Sequence, residues 1–192
     1  MKKILIGTNN KGKFKEISDL LSKKIKKVSL IKIHTKSPKE TGKTFSANSK
    51  LKADYFSKFT NLPVISDDSG LCINALGGKP GIHSARWAKK YRSFKNAMKF
   101  ILKKIEKKRN RSAIFVCSLS LKYPGKKIVT VEGKIKGSIA RKIIGTRGFG
   151  YDPIFIPQFE SITFGQMPKL KKIKMDHRYL AFKKIKRKIK IL

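Results

Sequence analysis

The sequence predicts a mixed-sheet α/β fold, and three observations predict it. Short apolar runs suited to buried strands alternate with amphipathic segments whose apolar residues recur every three to four positions. One pair of runs, SAIFVCSLSL (112–121) and KIVTVEGKI (127–135), flanks Tyr-Pro-Gly and reads as a hairpin, so hairpin pairing is mixed with strand–helix alternation. No linker-like stretch and no internal repeat interrupts the chain, and its 192 residues read as one domain, 1–192.

Each element has a local reason. Residues 3–7, KILIG, form an apolar strand that ends in a Thr-Asn-Asn-Lys-Gly turn. In the following FKEISDLL, Phe14, Ile17, Leu20 and Leu21 fall on one helical face. VSLIKI (28–33) is a second strand, and Pro38, Glu40 and Gly42 mark a polar loop. Thr44 is a helix start signal, and Phe45, Leu51, Tyr55 and Phe56 are the expected apolar positions of a helix ending near Thr60. LPVIS (62–66) is a buried strand leading to Asp67 and Asp68, followed by a turn-rich loop over 77–86. Phe94, Ala97, Met98, Ile101, Leu102 and Ile105 trace another amphipathic helix. After the hairpin come a second glycine-rich loop, GTRGFGYDP (145–153), and a basic final helix entered through PKLKKIKMDHR.

Composition narrows the function classes. Hydrophobic content of 40% with 12 Phe supports a packed core, which argues against wholesale disorder. With 48 Lys+Arg against 11 Asp+Glu the net charge is +37, which draws polyanions: nucleic acid, anionic membrane or a nucleoside triphosphate. Lys, Ile, Asn and Phe are enriched together and the lysines are spread along the chain, so composition drift is the competing explanation, and no specific nucleic-acid partner is expected. A nucleic-acid-binding protein, pointed to by the charge and the KKIKRKIK tail, is the rival class. Cys72 and Cys117 lie far apart in apolar, strand-like contexts, which suits buried thiols in a reducing compartment. The N-terminus lacks the apolar run of a signal peptide, and no stretch nears the roughly 20 apolar residues of a membrane span. A cytoplasmic location is expected.

Four constellations could carry chemistry. In ILIGTNNKGKFKEI, the loop residues Thr8, Asn9, Asn10, Lys11 and Gly12 enter a helix with Lys13 in its first turn, an arrangement that offers backbone N–H groups to an anion. It lacks the glycines of a Walker loop or a dinucleotide fingerprint, and an ordinary capped helix has the same pattern. Asp67 and Asp68 form an acidic pair at a strand end, where carboxylates suit a hard cation such as Mg²⁺, Glu40 could add a ligand, and one carboxylate could take a proton from water. Scattering alone predicts roughly 0.6 such pairs, and a turn capped by Asp68 and Ser69 is the other reading. In GFGYDP, two glycines bracket Phe149 and leave its ring to stack on a flat base, with Asp152 restrained by Pro153. Lys172, His177 and Arg178 carry donors for phosphate or a ring carbonyl, though a lysine in this chain is usually only a solvated lysine.

The segments TNNKGK, TGKTFSANSKLKA, DDSGLCINALGGKPGIHSARWA, GTRGFGYDPIFIP and the late DHR occur in an order that resembles the Ham1/RdgB-like family of inosine triphosphate pyrophosphatases, also called dITP/XTP pyrophosphatases. The resemblance runs from about residue 4 to 182, apart from 89–111. It implies an elongated mixed sheet flanked by helices, with two lobes around a central substrate cleft. It implies hydrolysis of ITP, dITP and XTP to the monophosphate and pyrophosphate, Mg²⁺ as cofactor, and a homodimer. Position by position, Thr8, Asn9, Asn10, Lys11, Gly12 and Lys13 match the phosphate-holding loop. Glu40 and Asp68 match metal carboxylates, Asp68 also the proton acceptor, and Ser69 a substrate contact. Phe149, Gly150, Tyr151 and Asp152 match the base-binding loop, and Lys172, His177 and Arg178 match residues that grip the purine from the other side. Asn9 stands where Gly is common, Ala47 where Glu often precedes the Asn, and Asp176 where Ser is usual. Residues 89–111 are more basic than the family norm. A related-fold pyrophosphatase for modified pyrimidines is a second rival, disfavoured by the base-loop match.

Overall fold

A computed structural model of the chain describes residues 2–33, 35 and 37–189. Its strands are β1 (Lys3–Ile6), β2 (Lys26–Ser29), β3 (Val64–Ile73), β4 (Ser112–Lys122), β5 (Val129–Ile139) and β6 (Phe155–Pro157). Its helices are α1 (Lys11–Leu20), α2 (Phe45–Thr60), α3 (Ser84–Lys90), α4 (Phe94–Lys104), α5 (Lys169–Lys172) and α6 (His177–Ile185). The strands form one sheet in the order β2-β1-β3-β4-β5-β6. β1 is parallel to β2 and β3, with Leu5 opposite both Val28 and Val64. β6 is antiparallel to β5, with Ser138 opposite Ile156. The sheet is mixed, as the sequence predicts.

By internal contacts the chain forms two compact units. The first comprises the residues up to Asp68, Cys117–Gly133 and those from Arg178 onward; the second comprises Ser69–Val116 and Lys134–His177. In the first, Ile4 and Ile6 of β1, Ile17 of α1, Ile65 of β3 and Phe182 of α6 share a core from which water is excluded. α1 begins three residues before Phe14, because extended Asn10 caps it and accepts the Lys13 N–H at 3.0 Å. Lys11, Gly12 and Lys13 therefore belong to its first turn. β2 stops at Ser29 where a strand to residue 33 is expected. Leu30–Ile33 winds into a 3-10 turn instead, which drops Leu30 among Leu5, Phe56 and Val64 and leaves Ile31 exposed.

α2 has the expected bounds, with Thr44 as its cap and Asn61 ending it in the left-handed conformation. Its buried face differs from the expected one: Asn48, Ser49 and Lys52 lie buried beside Ala53 and Phe56, while Tyr55 is exposed. Hydroxyl pairing makes room for the polar side. Ser49 Oγ meets Ser118 Oγ at 3.1 Å and Ser120 Oγ at 2.8 Å, and Ser120 meets Thr130 at 2.8 Å.

β3 is longer than 62–66, and Asp67 and Asp68 lie inside it rather than in a turn capped by Asp68 and Ser69. The strand persists because Leu71 and Ile73 continue its buried side into the core of the second unit, with Met98, Ile101, Phe115 and Phe155. The 77–86 segment is not all loop. A 3-10 turn at Gly81–His83 hands directly into α3 at Ser84. α4 carries the expected apolar stripe, with Ala97, Met98 and Ile101 buried. β6 and α5 are too short to leave a periodic signal in the sequence. Neither cysteine forms a disulfide, and Cys72, expected to be buried, is only half-buried while Cys117 is buried. Lys190 of the KKIKRKIK tail lies outside the described residues. Among the described residues no helix is long and apolar enough to cross a membrane.

Candidate active site

The first unit gathers one set of polar groups at the head of α1. Thr8, buried at the end of β1, accepts the Asn10 N–H on its Oγ1 at 3.2 Å, and Asn9 is exposed with its side-chain amide on Ser37. Gly7 before them leaves no room for a side chain: a Cβ there would strike Ser66 Oγ and the Phe56 ring. Lys13, oriented by the capped turn, extends its ammonium to Asp67 Oδ2 at 3.1 Å. Arg178, at the start of α6, donates to Glu16 Oε2 at 2.7 Å and places its Nε 3.7 Å from the same Asp67 oxygen.

The two aspartates of β3 sit in different electrostatic settings. Burial by itself would raise the Asp67 carboxyl, but the charges of Lys13, Arg178 and Lys52 outweigh it and bring it down to about 2. Asp67 is therefore a fixed anion that positions cations. For Asp68 burial dominates. Lys52, Lys13 and the amide of Asn48 pull its carboxyl down and Glu40 pushes it up, and it rests above the usual carboxylate range. Such a carboxylate is the better proton acceptor of the two.

Two α2 residues organise the surroundings of Asp68. Asn48 donates its amide to Asp68 Oδ2 at 3.0 Å and accepts the Gly42 N–H on its Oδ1 at 2.8 Å, tying the Glu40 loop to β3. Lys52 donates to Glu40 Oε1 at 2.6 Å. Burial lowers the proton affinity of the Lys52 amine, but Asp67, Asp68 and Glu40 together more than reverse that. The charges of three carboxylates therefore act on this one ammonium, and Glu40 touches it directly. Among the described residues no group of three or more His, Cys, Asp or Glu is placed to hold a metal ion by itself.

The second unit carries the other set. Gly148 and Gly150 both have positive φ, 73° and 68°, which presents the half-buried Phe149 between them. Asp152 Oδ2 accepts the Phe149 N–H at 2.8 Å and the Lys172 ammonium at 2.6 Å, with both charged side chains buried. The same ammonium lies 5.4 Å from the centroids of Phe149 and Phe164. Tyr151 is anchored by an edge contact to Phe94 and by its hydroxyl, which donates to the Ser84 carbonyl at 3.0 Å. Burial pushes the phenol well above its ordinary range, which keeps that proton in place. His177 is buried with its ring stacked on Phe115 at 4.7 Å. Ser69 is half-buried where the second unit begins.

Thr8, Lys13, Glu40, Asp68 and Arg178 thus come together in the first unit, and Ser69, Phe149–Asp152, Lys172 and His177 belong to the second. Arg178, grouped with His177 by adjacency in sequence, sits with Glu16 and Asp67. Asn48, Lys52 and Glu16 were not singled out by sequence reasoning. The usable signal was polar Asn48 and Lys52 one turn apart, in helical register with Phe56. Ala47, one of the departures from the usual pattern, is exposed at the start of α2.

In this α/β fold the acidic pair of β3 lies beside the capped start of α1, and the second unit carries a glycine-flanked aromatic loop. The family model described as the Ham1 family matches residues 4–188, and the chain belongs to that family. It is similar to a protein of Caulobacter vibrioides named dITP/XTP pyrophosphatase, 41% identical over 186 residues that cover 96% of each chain. A Bacillus subtilis protein of the same name is 40% identical over 189 residues, again covering 96% of each. Among solved structures, the Staphylococcus aureus Ham1 protein superimposes with a TM-score of 0.87 at 34% identity, over 98% of each chain. A HAM1 protein from Coxiella burnetii gives 0.88 at 31% identity over the whole of both.

Proposed function

We propose that this chain is a nucleoside-triphosphate pyrophosphatase, one domain over 1–192, that hydrolyses ITP, dITP and XTP to the monophosphate and pyrophosphate and so clears deaminated purines from the nucleotide pool. The observation that carries the reading is Asp68, a buried carboxylate with raised proton affinity, held by Asn48 beside Lys13, Lys52 and Glu40. The names of the similar proteins support the same activity.

In the proposed mechanism the phosphates enter against the amides and hydroxyls of Thr8, Asn9, Asn10, Lys11 and Gly12, with Lys13 neutralising charge that grows on the leaving pyrophosphate. Asp68 accepts the proton of the water that attacks the α-phosphorus; the α–β anhydride bond breaks and pyrophosphate leaves. Asp67 stays ionised and holds Lys13 and Arg178 in place. Glu40 and Asp68 would hold Mg²⁺, which when bound supplies charge neutralisation on the triphosphate. Ser69 contributes a hydroxyl contact to the substrate.

The purine is proposed to lie against Phe149, steadied by Gly150, Tyr151 and Asp152, with Lys172, His177 and Arg178 on its other side. His177 and Arg178 are the proposed donors to a 6-keto oxygen, with Glu16 orienting Arg178 and Asp152 engaging Lys172. Adenine would meet them with an amino group, and an unpaired buried donor costs about 1–3 kcal/mol. Homodimeric assembly and a cytoplasmic place belong to the same proposal, and light scattering at assay concentration tests the first.

Purified protein with Mg²⁺ is expected to release pyrophosphate from ITP, dITP and XTP far faster than from ATP, GTP or modified pyrimidine triphosphates. Asp68→Asn is expected to abolish turnover with the circular-dichroism spectrum unchanged. Orthophosphate as the first product, or equal rates across the panel, would sink the assignment.

A further inference from the structure

Residues 89–109 hold ten Lys or Arg in 21 positions, about twice the density of the whole chain, where 48 fall in 192. All ten are exposed, and the only acid in the segment is Glu106. Residues 169–190 are as rich, with 11 in 22, so what sets 89–109 apart is the aromatic surface beside its cations. Elsewhere in the chain, Lys13, Lys52 and Lys172 are tied to carboxylates. Among the described residues none of these ten is. On α4, Lys95, Lys99 and Lys103 fall four residues apart, so they line one outward ridge opposite the buried Ala97, Met98 and Ile101.

The same surface carries aromatic rings. Trp87 and Tyr91 from α3 and its end meet Phe100 of α4, all three half-buried. Tyr91 and Phe100 stack at 4.5 Å with 24° between planes, and Trp87 stands edge-on to them at 6.2 Å and 5.6 Å. Lys90 and Lys104 each place an ammonium 5.7 Å from a ring of this trio, over Tyr91 and Phe100 respectively. Partly exposed rings interleaved with cations that lack anionic partners suit stacked bases joined by phosphates.

We propose that this α3–α4 face binds single-stranded nucleic acid without sequence preference, through residues other than those proposed to hold the triphosphate. Phosphates lie along the Lys95–Lys99–Lys103 ridge and bases stack on the Trp87–Tyr91–Phe100 edge. An anionic membrane fits less well, because the apolar side of α4 is spent in the core and none is left to insert. A second copy fits less well too, since two such faces would meet with like charge.

Trp87 is the chain's one tryptophan, so its fluorescence reports on this face alone. A mixed-sequence single-stranded DNA of about 20 nucleotides, titrated at about 0.15 M salt, is expected to quench it saturably. The triple variant Lys95→Glu, Lys99→Glu, Lys103→Glu is expected to weaken binding at least about tenfold and to flatten the salt slope by about 2. Should that triple misfold, its Lys→Gln version is expected to show the same flattened slope. A control with the same charge change, Lys23→Glu, Lys24→Glu, Lys50→Glu, is expected to lose less than about threefold, and both triples keep their triphosphate turnover. Trp87→Phe is expected to retain binding measured by anisotropy of labelled DNA, and Trp87→Ala to weaken it. Binding without a change in Trp87 emission, equal losses in the two triples, tighter binding to vesicles of anionic lipid, or concentration-dependent self-association blocked by the ridge variant would each overturn the proposal.

Discussion

Lys172→Met tests how the base loop is held. It removes an ammonium while keeping an unbranched side chain in a buried place. The Lys172 and Asp152 side chains are 6% and 3% exposed, and their charged atoms are 2.6 Å apart. Taking away the cation leaves a buried carboxylate without its counter-ion, which costs about 3–5 kcal/mol. The Phe149 N–H still donates to that carboxylate at 2.8 Å, so the lower end, about 3 kcal/mol, is expected. With a urea slope of about 2 kcal/mol per M, the midpoint should fall by about 1.5 M. Trp87 emission in the second unit reads the transition, and circular dichroism checks that both probes agree. Removing both charges, with Asp152→Asn added to Lys172→Met, should recover more than half of the loss, because no charge is then stranded. The single variant should also raise the KM for ITP as Phe149 loses its tether. A loss below about 1 kcal/mol, or a double variant no more stable than Lys172→Met, would refute the account of Asp152 as a buried anion that needs Lys172.

Three further outcomes follow from the same geometry. Asn48→Ala removes the donor to Asp68 Oδ2 and the acceptor of the Gly42 N–H, and kcat/KM for ITP should fall about 10–100-fold; an unchanged value would remove Asn48 from the positioning of Asp68. Gly148→Ala puts a Cβ against the Asp152 carboxylate at a φ of 73°, so about 1–3 kcal/mol of strain and a higher KM are expected, and a normal KM would show that the loop tolerates displacement. Asp67, whose folded carboxyl is lowered from 3.8 to about 2, contributes about 2 kcal/mol of stability that is fully present above about pH 4 and lost as pH falls through 2. In urea unfolding without added metal, the advantage of the parent over Asp67→Asn should shrink by about that amount between pH 5 and pH 2; a constant difference would contradict the ion pairing.

Much of this protein was legible in one dimension where local rules decide. Thr44 marked a helix start because a cap acts within three residues, whereas the Asn10 cap emerged only in the structure, and the apolar stripe of α4 showed because a helix packed on one face repeats every 3.6 residues. The glycines around Phe149 announced a loop of left-handed backbone. The order of motifs carried the family, which the matched model over residues 4–188 bears out. What the sequence could not determine depends on partners far along the chain. Whether Asp67 and Asp68 end a strand or lie within it was decided by the core waiting for Leu71 and Ile73. The buried side of α2 was decided by hydroxyls on β4 and β5, which let Asn48 and Lys52 turn inward. Two adjacent aspartates look alike in sequence. Only the arrival of Lys13, Lys52 and Arg178 from other elements brings one carboxyl below its ordinary range while burial leaves the other above it, because burial and nearby charge, not residue type, set the proton affinity.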